Sequence, residues 1–216
     1  MTFNTMVLLI AQGFMKSFLI FCLTLLGSLP LGLLVAFGRM SAFKPLRWLV
    51  KIYISIMRGT PLMLQLMVVF YGPSLLLNMK ISTDWRFWAA IVAFVINYAA
   101  YFAEIYRAGI ESIPAGQYEA ASVLGYTKRQ TFFRIVLPQV IKRILPPVTN
   151  EVITLVKDTS LASVIALTEM FTWAERISVS QGTLMPFVIA AVFYYVFNYI
   201  VAFGMERIEK ARDYYR

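Results

Sequence analysis

Apolar and polar positions along the 216-residue chain sort into long uncharged runs and short basic stretches. A bilayer's hydrocarbon core is about 30 Å thick and takes about 20 apolar helical residues to cross. Five segments reach that length: residues 17–38, 61–79, 87–106, 144–167 and 186–205. The first, second and fifth carry no charge, the third holds Glu104, and the fourth holds Glu151, Lys157 and Asp158. Gly27, Pro30 and Gly32 predict a kink or a close helix contact in the first. Thr60-Pro61 reads as an N-cap followed by proline at the first helical position. Gly72-Pro73 should bend or interrupt the second run. The pattern predicts an all-α integral membrane fold, with five transmembrane helices in a single domain spanning residues 1–216. Residues 1–16 lack the basic start and small-residue cleavage site of a removable signal. They are expected to form a short interfacial helix.

The basic residues set an orientation. Fifteen lie between the first and second runs, between the third and fourth, or after the fifth; only Lys16, Lys80, Arg86 and Arg176 lie on the other side, and Lys157 lies within a span. The tail contributes Arg207, Lys210, Arg212 and Arg216. By the positive-inside rule the N-terminus is outside and the C-terminus cytoplasmic. Trp85, Trp88 and Trp173 fall at the outer boundary, where aromatic belts sit.

Composition agrees with a lipid environment. Hydrophobic residues make up 60% of the chain and charged residues 14%, against about 25% charged in soluble domains. The net charge of +9 would suggest nucleic acid in a soluble protein, but here its clustering in loops is explained by topology. The chain has no histidine, which removes Ser-His-Asp and Cys-His catalysis and histidine-based zinc sites. Cys22 is alone, so no disulfide forms within the chain. No catalytic group set and no metal site are expected.

The fourth run is where chemistry concentrates. One charge at a helix centre costs about 2.5–3.5 kcal/mol on insertion scales, so three must face protein or water. Glu151 and Asp158 are seven residues apart, on one face and about 10 Å apart along the axis. Asn150 and Lys157 share a neighbouring face, and Lys157 and Asp158 point about 100° apart. One reading gives each charge a partner elsewhere. The other is a polar path lined by Asn150, Glu151, Thr154, Lys157 and Asp158. Asn97 and Gln65, midway along the third and second runs, either line the same cavity or bond to each other's helices. Glu104 has Arg107 three residues on and reads as a local ion pair.

Between the third and fourth runs, residues 111–138 break the pattern. Ile113-Pro114-Ala115-Gly116 interrupts the chain. Residues 117–124 predict a short helix that Gly125 ends. Thr127 can cap a second helix over 127–137, with Pro138 closing it. Taken alone, this is an ordinary cytoplasmic loop with a packed surface helix. Yet Glu119-Ala120-Ala121, then Gly125, then Ile135, Leu137 and Pro138 resemble the EAA loop of ABC importer permeases at each position. "YRAGIESIPAGQYEAA", "LPPVTNEVITLVKDTSLASVI" and "MRGTPLMLQL" look like permease subunits of importers for polar amino acids. The likeness runs from about Arg58 to the end of the fifth run.

The resemblance implies a type I ABC importer with the MetI-like permease fold, working by alternating access in the plasma or inner membrane of a prokaryote. Glu119, Ala120, Ala121 and Gly125 would form the coupling helix that docks on a separate ATPase, with Glu119 holding the loop by hydrogen bonds or a basic partner. The chain has no G-x-x-x-x-G-K-[ST] sequence to cradle phosphates, so ATP and Mg belong on the partner. Two ATPase copies, a second permease chain (identical or paralogous) and an extracytoplasmic amino-acid-binding protein are the implied partners. Glu151 and Asp158 could attract a basic amino acid. Competing readings are a membrane scaffold or sensor that recruits a cytoplasmic partner, and an ion-gradient-driven secondary transporter. The absence of an internal repeat argues against many of the latter.

Overall fold

The computed structural model describes residues 1–80, 82 and 84–211. Among them every regular element is helical: α1 (Phe3–Arg39), α2 (Lys44–Gly59), α3 (Leu62–Leu77), α4 (Trp85–Glu111), α5 (Ala115–Val123), α6 (Lys128–Thr131), α7 (Leu137–Asp158), α8 (Met170–Gln181) and α9 (Met185–Ala211). A π turn, Phe132–Val136, joins α6 to α7, and a 3-10 segment, Thr159–Ile165, follows α7. Arg212 and Arg216 of the basic tail lie outside the described residues.

By length and composition α1, α4 and α9 can each cross a membrane, and α2 with α3 makes a fourth candidate bent by 111°. The expected fourth run is divided. α7 begins at Leu137 and ends at Asp158, and the remainder is 3-10 helix. Five crossings are therefore not all evident as straight apolar helices.

Several boundaries differ from expectation. Residues 3–39 are one helix, so the N-terminal segment is no separate interfacial element. Its first turns are apolar enough to continue α1, and they pack on α8 and α9 through Met6, Ile10, Met170, Ile177 and Ile189. Thr60 does not cap α3. Pro61 holds the N-cap position, and the Thr60 hydroxyl donates back to Ile56 O at 2.8 Å. α3 runs through Gly72-Pro73 to Leu77 without a break. The basic stretch after α1 is helical (α2), as is the segment between the last two runs (α8). Pro138 does not close a helix. It stands in the first turn of α7, just past the π turn, where the widened ladder leaves room for its ring and does not need its N–H, so the chain continues into α7.

The core is the crossing of α1 on α4. On α1 the buried positions Gly13, Ser17, Ile20, Thr24, Ser28, Gly32 and Ala36 form one stripe of mostly small residues. α4 answers with Ala89, Ala93, Ala99, Ala100 and Ala103. A Cβ on Gly32 would lie 2.8 Å from Phe102 Cβ and 3.1 Å from Ala99 O; one on Gly27 would lie 2.8 Å from Val95 Cγ2. So the glycines mark a close contact, and α1 runs on through Pro30. Phe94, Tyr98, Phe102, Leu66, Leu155 and Val156 fill the centre.

Glu169 ties α8 to α1. Fully buried, its carboxylate accepts from Phe171 N and Thr172 N at 2.7 Å, Thr172 Oγ1 at 2.9 Å and Ser17 Oγ at 3.2 Å. It is the N-cap of α8, where the helix dipole also favours an anion.

Gly32→Leu should force α1 off α4 at an overpacking cost of about 1–3 kcal/mol. The thermal midpoint of the detergent-purified protein should fall. Gly204→Ala, in open space within α9, should not lower it, since alanine is the better helix former. Equal midpoints for Gly32→Leu and the wild type would refute the close crossing.

Candidate functional site

Two places gather chemistry: a knob at one end of the bundle and a polar cavity beside α7. The knob is built from α5, a turn and α6. α5 ends in a Schellman motif. Gly125 adopts φ +77°, its N–H donates to Ser122 O, and Tyr126 N–H donates to Ala121 O, both at 3.0 Å. The left-handed conformation is what makes glycine fit here. Thr127 then opens α6 with a full capping box. Gln130 N–H donates to Thr127 Oγ1 at 3.3 Å, and Thr127 N–H donates to Gln130 Oε1 at 2.9 Å. Ala121 is buried where α5 packs on α6 and the π turn, and Ala120 is exposed. Val123 is 88% exposed and Leu124 73%, so the tip presents bare apolar side chains beside Tyr126 and Phe133. Glu119 is exposed and has no ion pair among the described residues.

The α7 candidates separate into two groups. Asn150, Thr154 and Lys157, at i, i+4 and i+7, form one exposed stripe. Glu151 and Asp158 lie about 90° round the helix and are half-buried. Asp158 Oδ2 accepts from the buried Tyr98 hydroxyl at 2.7 Å. Glu151 opens on a cavity of about 490 Å³ lined also by Arg58, Tyr101, Glu104, Arg107 and Arg143. Lys157 and Asp158 form no ion pair with each other among the described residues, as their directions require.

Gln65 and Asn97 are drawn away from this cavity. Asn97 Nδ2 donates to Gln65 Oε1 at 2.9 Å and to Met57 O at 3.1 Å. Gln65 Nε2 donates to Met57 O at 3.0 Å and Thr60 Oγ1 at 2.8 Å. The pair serves carbonyls freed where α2 ends and the chain turns. Interhelical bonding is their role in this structure.

Glu104 is more than a partner of Arg107. The Arg107 guanidinium lies 2.7 Å from its carboxylate, Arg39 lies at 3.8 Å and Arg58 at 3.9 Å. One acid thus joins the end of α1, the end of α2 and α4. Arg58 also stacks 5.4 Å over Tyr101. Arg143 donates to Ser112 O, pinning α7 to the end of α4. Tyr98, Arg39 and Arg58 escaped the sequence reading. The signal for Tyr98 was available, because a buried acid needs a donor and a phenol within a span needs an acceptor.

Comparison with known proteins places this geometry. Residues 28–214 match the family model for the inner membrane component of binding-protein-dependent transport systems. The chain is similar to the L-cystine transport system permease protein TcyB of Bacillus subtilis, at 40% identity over 86% of this chain and 78% of that one. It is similar to the arginine transport system permease protein ArtQ of the same organism, at 40% identity over 86% and 85%. It is 42% identical to the octopine transport system permease protein OccM of Rhizobium radiobacter, over 81% and 76%. Among solved structures, an amino acid ABC transporter crystallised with histidines matches at TM-score 0.86 and 32% identity, covering 98% of this chain and 99% of that one. An inward-facing MetNI methionine ABC transporter shares the fold at TM-score 0.76 and 20% identity, over 98% and 99%.

Glu104→Gln should leave three guanidinium groups repelling one another. The three arginines stay partly exposed, which holds the loss to about 1 kcal/mol, and added salt should recover part of it by screening. Thermal unfolding in detergent at low and high salt tests this. A variant as stable as wild type at low salt would remove Glu104 as the organising charge.

Proposed function

This chain belongs to the inner membrane components of binding-protein-dependent transport systems, and on that premise we propose that it lines half the path of an ATP-driven importer of polar amino acids, receiving its drive through α5. At the coarser level it is the permease subunit of an amino acid ABC importer, a multi-pass membrane protein with the MetI-like fold of type I importers. The observation that carries the finer reading is the knob. Its backbone is fixed by the Schellman turn and the capping box, and it leaves Val123 and Leu124 bare. A rigid tip of uncovered apolar side chains suits a groove on another protein.

Glu119, Ala120, Ala121 and Gly125 form the coupling segment in this reading. The ends of α1, α4 and α9 that share the knob's side of the bundle carry the basic residues, so this side is cytoplasmic and the N-terminus outside. ATP and Mg are held by two copies of a separate ATPase. A second permease chain, identical or paralogous, completes the path against the exposed stripe Asn150, Thr154 and Lys157. A soluble extracytoplasmic protein delivers the amino acid.

We further infer a substrate with a cationic side chain. Glu151 opens on the cavity, Asp158 lies two turns along the same face, and Lys157 on the adjoining stripe can meet the substrate carboxylate. The similarity to an arginine permease supports this.

Val123→Asp with Leu124→Asp should weaken ATPase association on the order of 30-fold, as expected for interface anchors. Copurification and ATP-dependent uptake in proteoliposomes measure it; full association would sink the coupling assignment. Glu151→Gln with Asp158→Asn should cut arginine uptake about 10- to 100-fold, the worth of a charge-assisted hydrogen bond, while glutamine uptake persists. Undiminished arginine uptake at equal expression would remove the cationic preference and leave the permease assignment intact.

A further inference from the structure

α2 is three-sided. At 100° per residue, Val50, Tyr53, Ile54 and Met57 fall on one face and pack toward α1 and α4. Lys44, Arg47, Lys51 and Arg58 fall on a second. Trp48, Leu49, Ile52 and Ile56 fall on a third, and all four are exposed, Trp48 at 63% and Leu49 at 59%. A soluble surface helix has no use for such a third face. α2 is bent 111° from α3, so where α3 crosses the bilayer α2 lies close to its plane. A helix in that plane, with an apolar face toward the acyl chains and basic side chains at the headgroups, matches interfacial helices physically.

The basic face meets the end of α1 in a pocket of about 540 Å³ lined by Arg39, Lys44, Pro45, Arg47, Trp48 and Lys51. Lys44, Arg47 and Lys51 are exposed and make no ion pair among the described residues. Arg39 reaches Glu104 only at 3.8 Å. The pocket therefore holds four cations and no acid, with an indole at its edge where glycerol and ester groups would lie.

We propose that this pocket binds the headgroup of an anionic phospholipid from the cytoplasmic leaflet, with Trp48, Leu49, Ile52 and Ile56 among its acyl chains. The lipid is favoured over a soluble anion because the exposed apolar face continues directly from the basic one. Arg39 then stands between the lipid phosphate and Glu104, so the bound lipid is linked to the charge cluster beside the cavity. The inference rests on the membrane orientation proposed above, and its test needs neither ATPase nor transport, so its failure leaves the permease reading standing.

The full chain, purified in neutral detergent, is titrated with dioleoyl phosphatidylglycerol and separately with dioleoyl phosphatidylcholine. Bound lipids and chain copies are counted by native mass spectrometry. The wild type should retain phosphatidylglycerol preferentially. Each basic side chain near an anionic surface is worth about fivefold in affinity, so Lys44→Gln with Arg47→Gln should weaken retention about 25-fold. Lys128→Gln with Arg129→Gln, an equal charge loss on the knob, should not change it. All four side chains are exposed, so folding is spared. Equal retention of both lipids, an unaffected pocket variant, displacement by inorganic phosphate, or a chain dimer lost in the pocket variant would each overturn the proposal.

Discussion

Helices in hydrocarbon gain nothing by hiding apolar surface from one another, so α1 and α4 must be held together by contact itself. That constraint explains the stripe of glycine, serine, threonine and alanine on α1 and the alanines facing it. Small residues let two backbones approach until dispersion between many atoms accumulates. The rest of the bundle is placed by this pair. α3 packs on α4, α8 on α1, and α7 on α4. Where α7 meets α4, Gly109 again leaves room, with Ile144 filling the space a side chain would take.

Polar groups then occupy the few places where the packed pair allows them to be satisfied. Asn97 and Gln65 bond Met57 O, where α2 stops and α3 turns away. Glu169 spends its lone pairs on the start of α8. Asp158 takes the Tyr98 hydroxyl. Glu104 stands among three arginines at the ends of three elements. Glu151 is the exception, facing the cavity without a hydrogen bond among the described residues. An acid left open in this way is available to something that enters, while Glu104 and Glu169 are committed to the fold.

What could be read in the sequence follows from which signals are local. Apolar runs revealed α1, α3, α4 and α9, because a span is a property of consecutive residues. Gly125 and Thr127 announced their turn and cap because those motifs lie within a few residues. α2 was hidden because its basic residues served as a topology signal, and its apolar residues are too few to span. α8 was too short and mixed to stand out. The interruption expected at Pro138 failed because a proline N–H can be forgone where a π turn has already widened the ladder. The triple pairing of Glu104 and the Tyr98–Asp158 bond join residues 60 or more positions apart, apart from the local Arg107 and the nearer Arg58. Such pairings depend on the tertiary crossing and have no local pattern.

The same distinction bears on how a push at the knob would reach the polar groups. From the capping box at Thr127 the chain passes through α6 and the π turn into α7 without a loop, as far as Asp158. A continuous helix of 22 residues carries displacement over about 33 Å. Pro146 and Pro147 remove two successive backbone donors from its middle, and bending is cheapest there. They lie between Arg143, which anchors α7 to Ser112 on the knob side, and Glu151, the first acid on the far side. Under the coupling proposed for α5, movement entering there would swing Glu151 and the neighbouring stripe relative to α4, while the small-residue crossing of α1 on α4 stays fixed. A moving polar face against a stationary pair is the arrangement that alternating access requires.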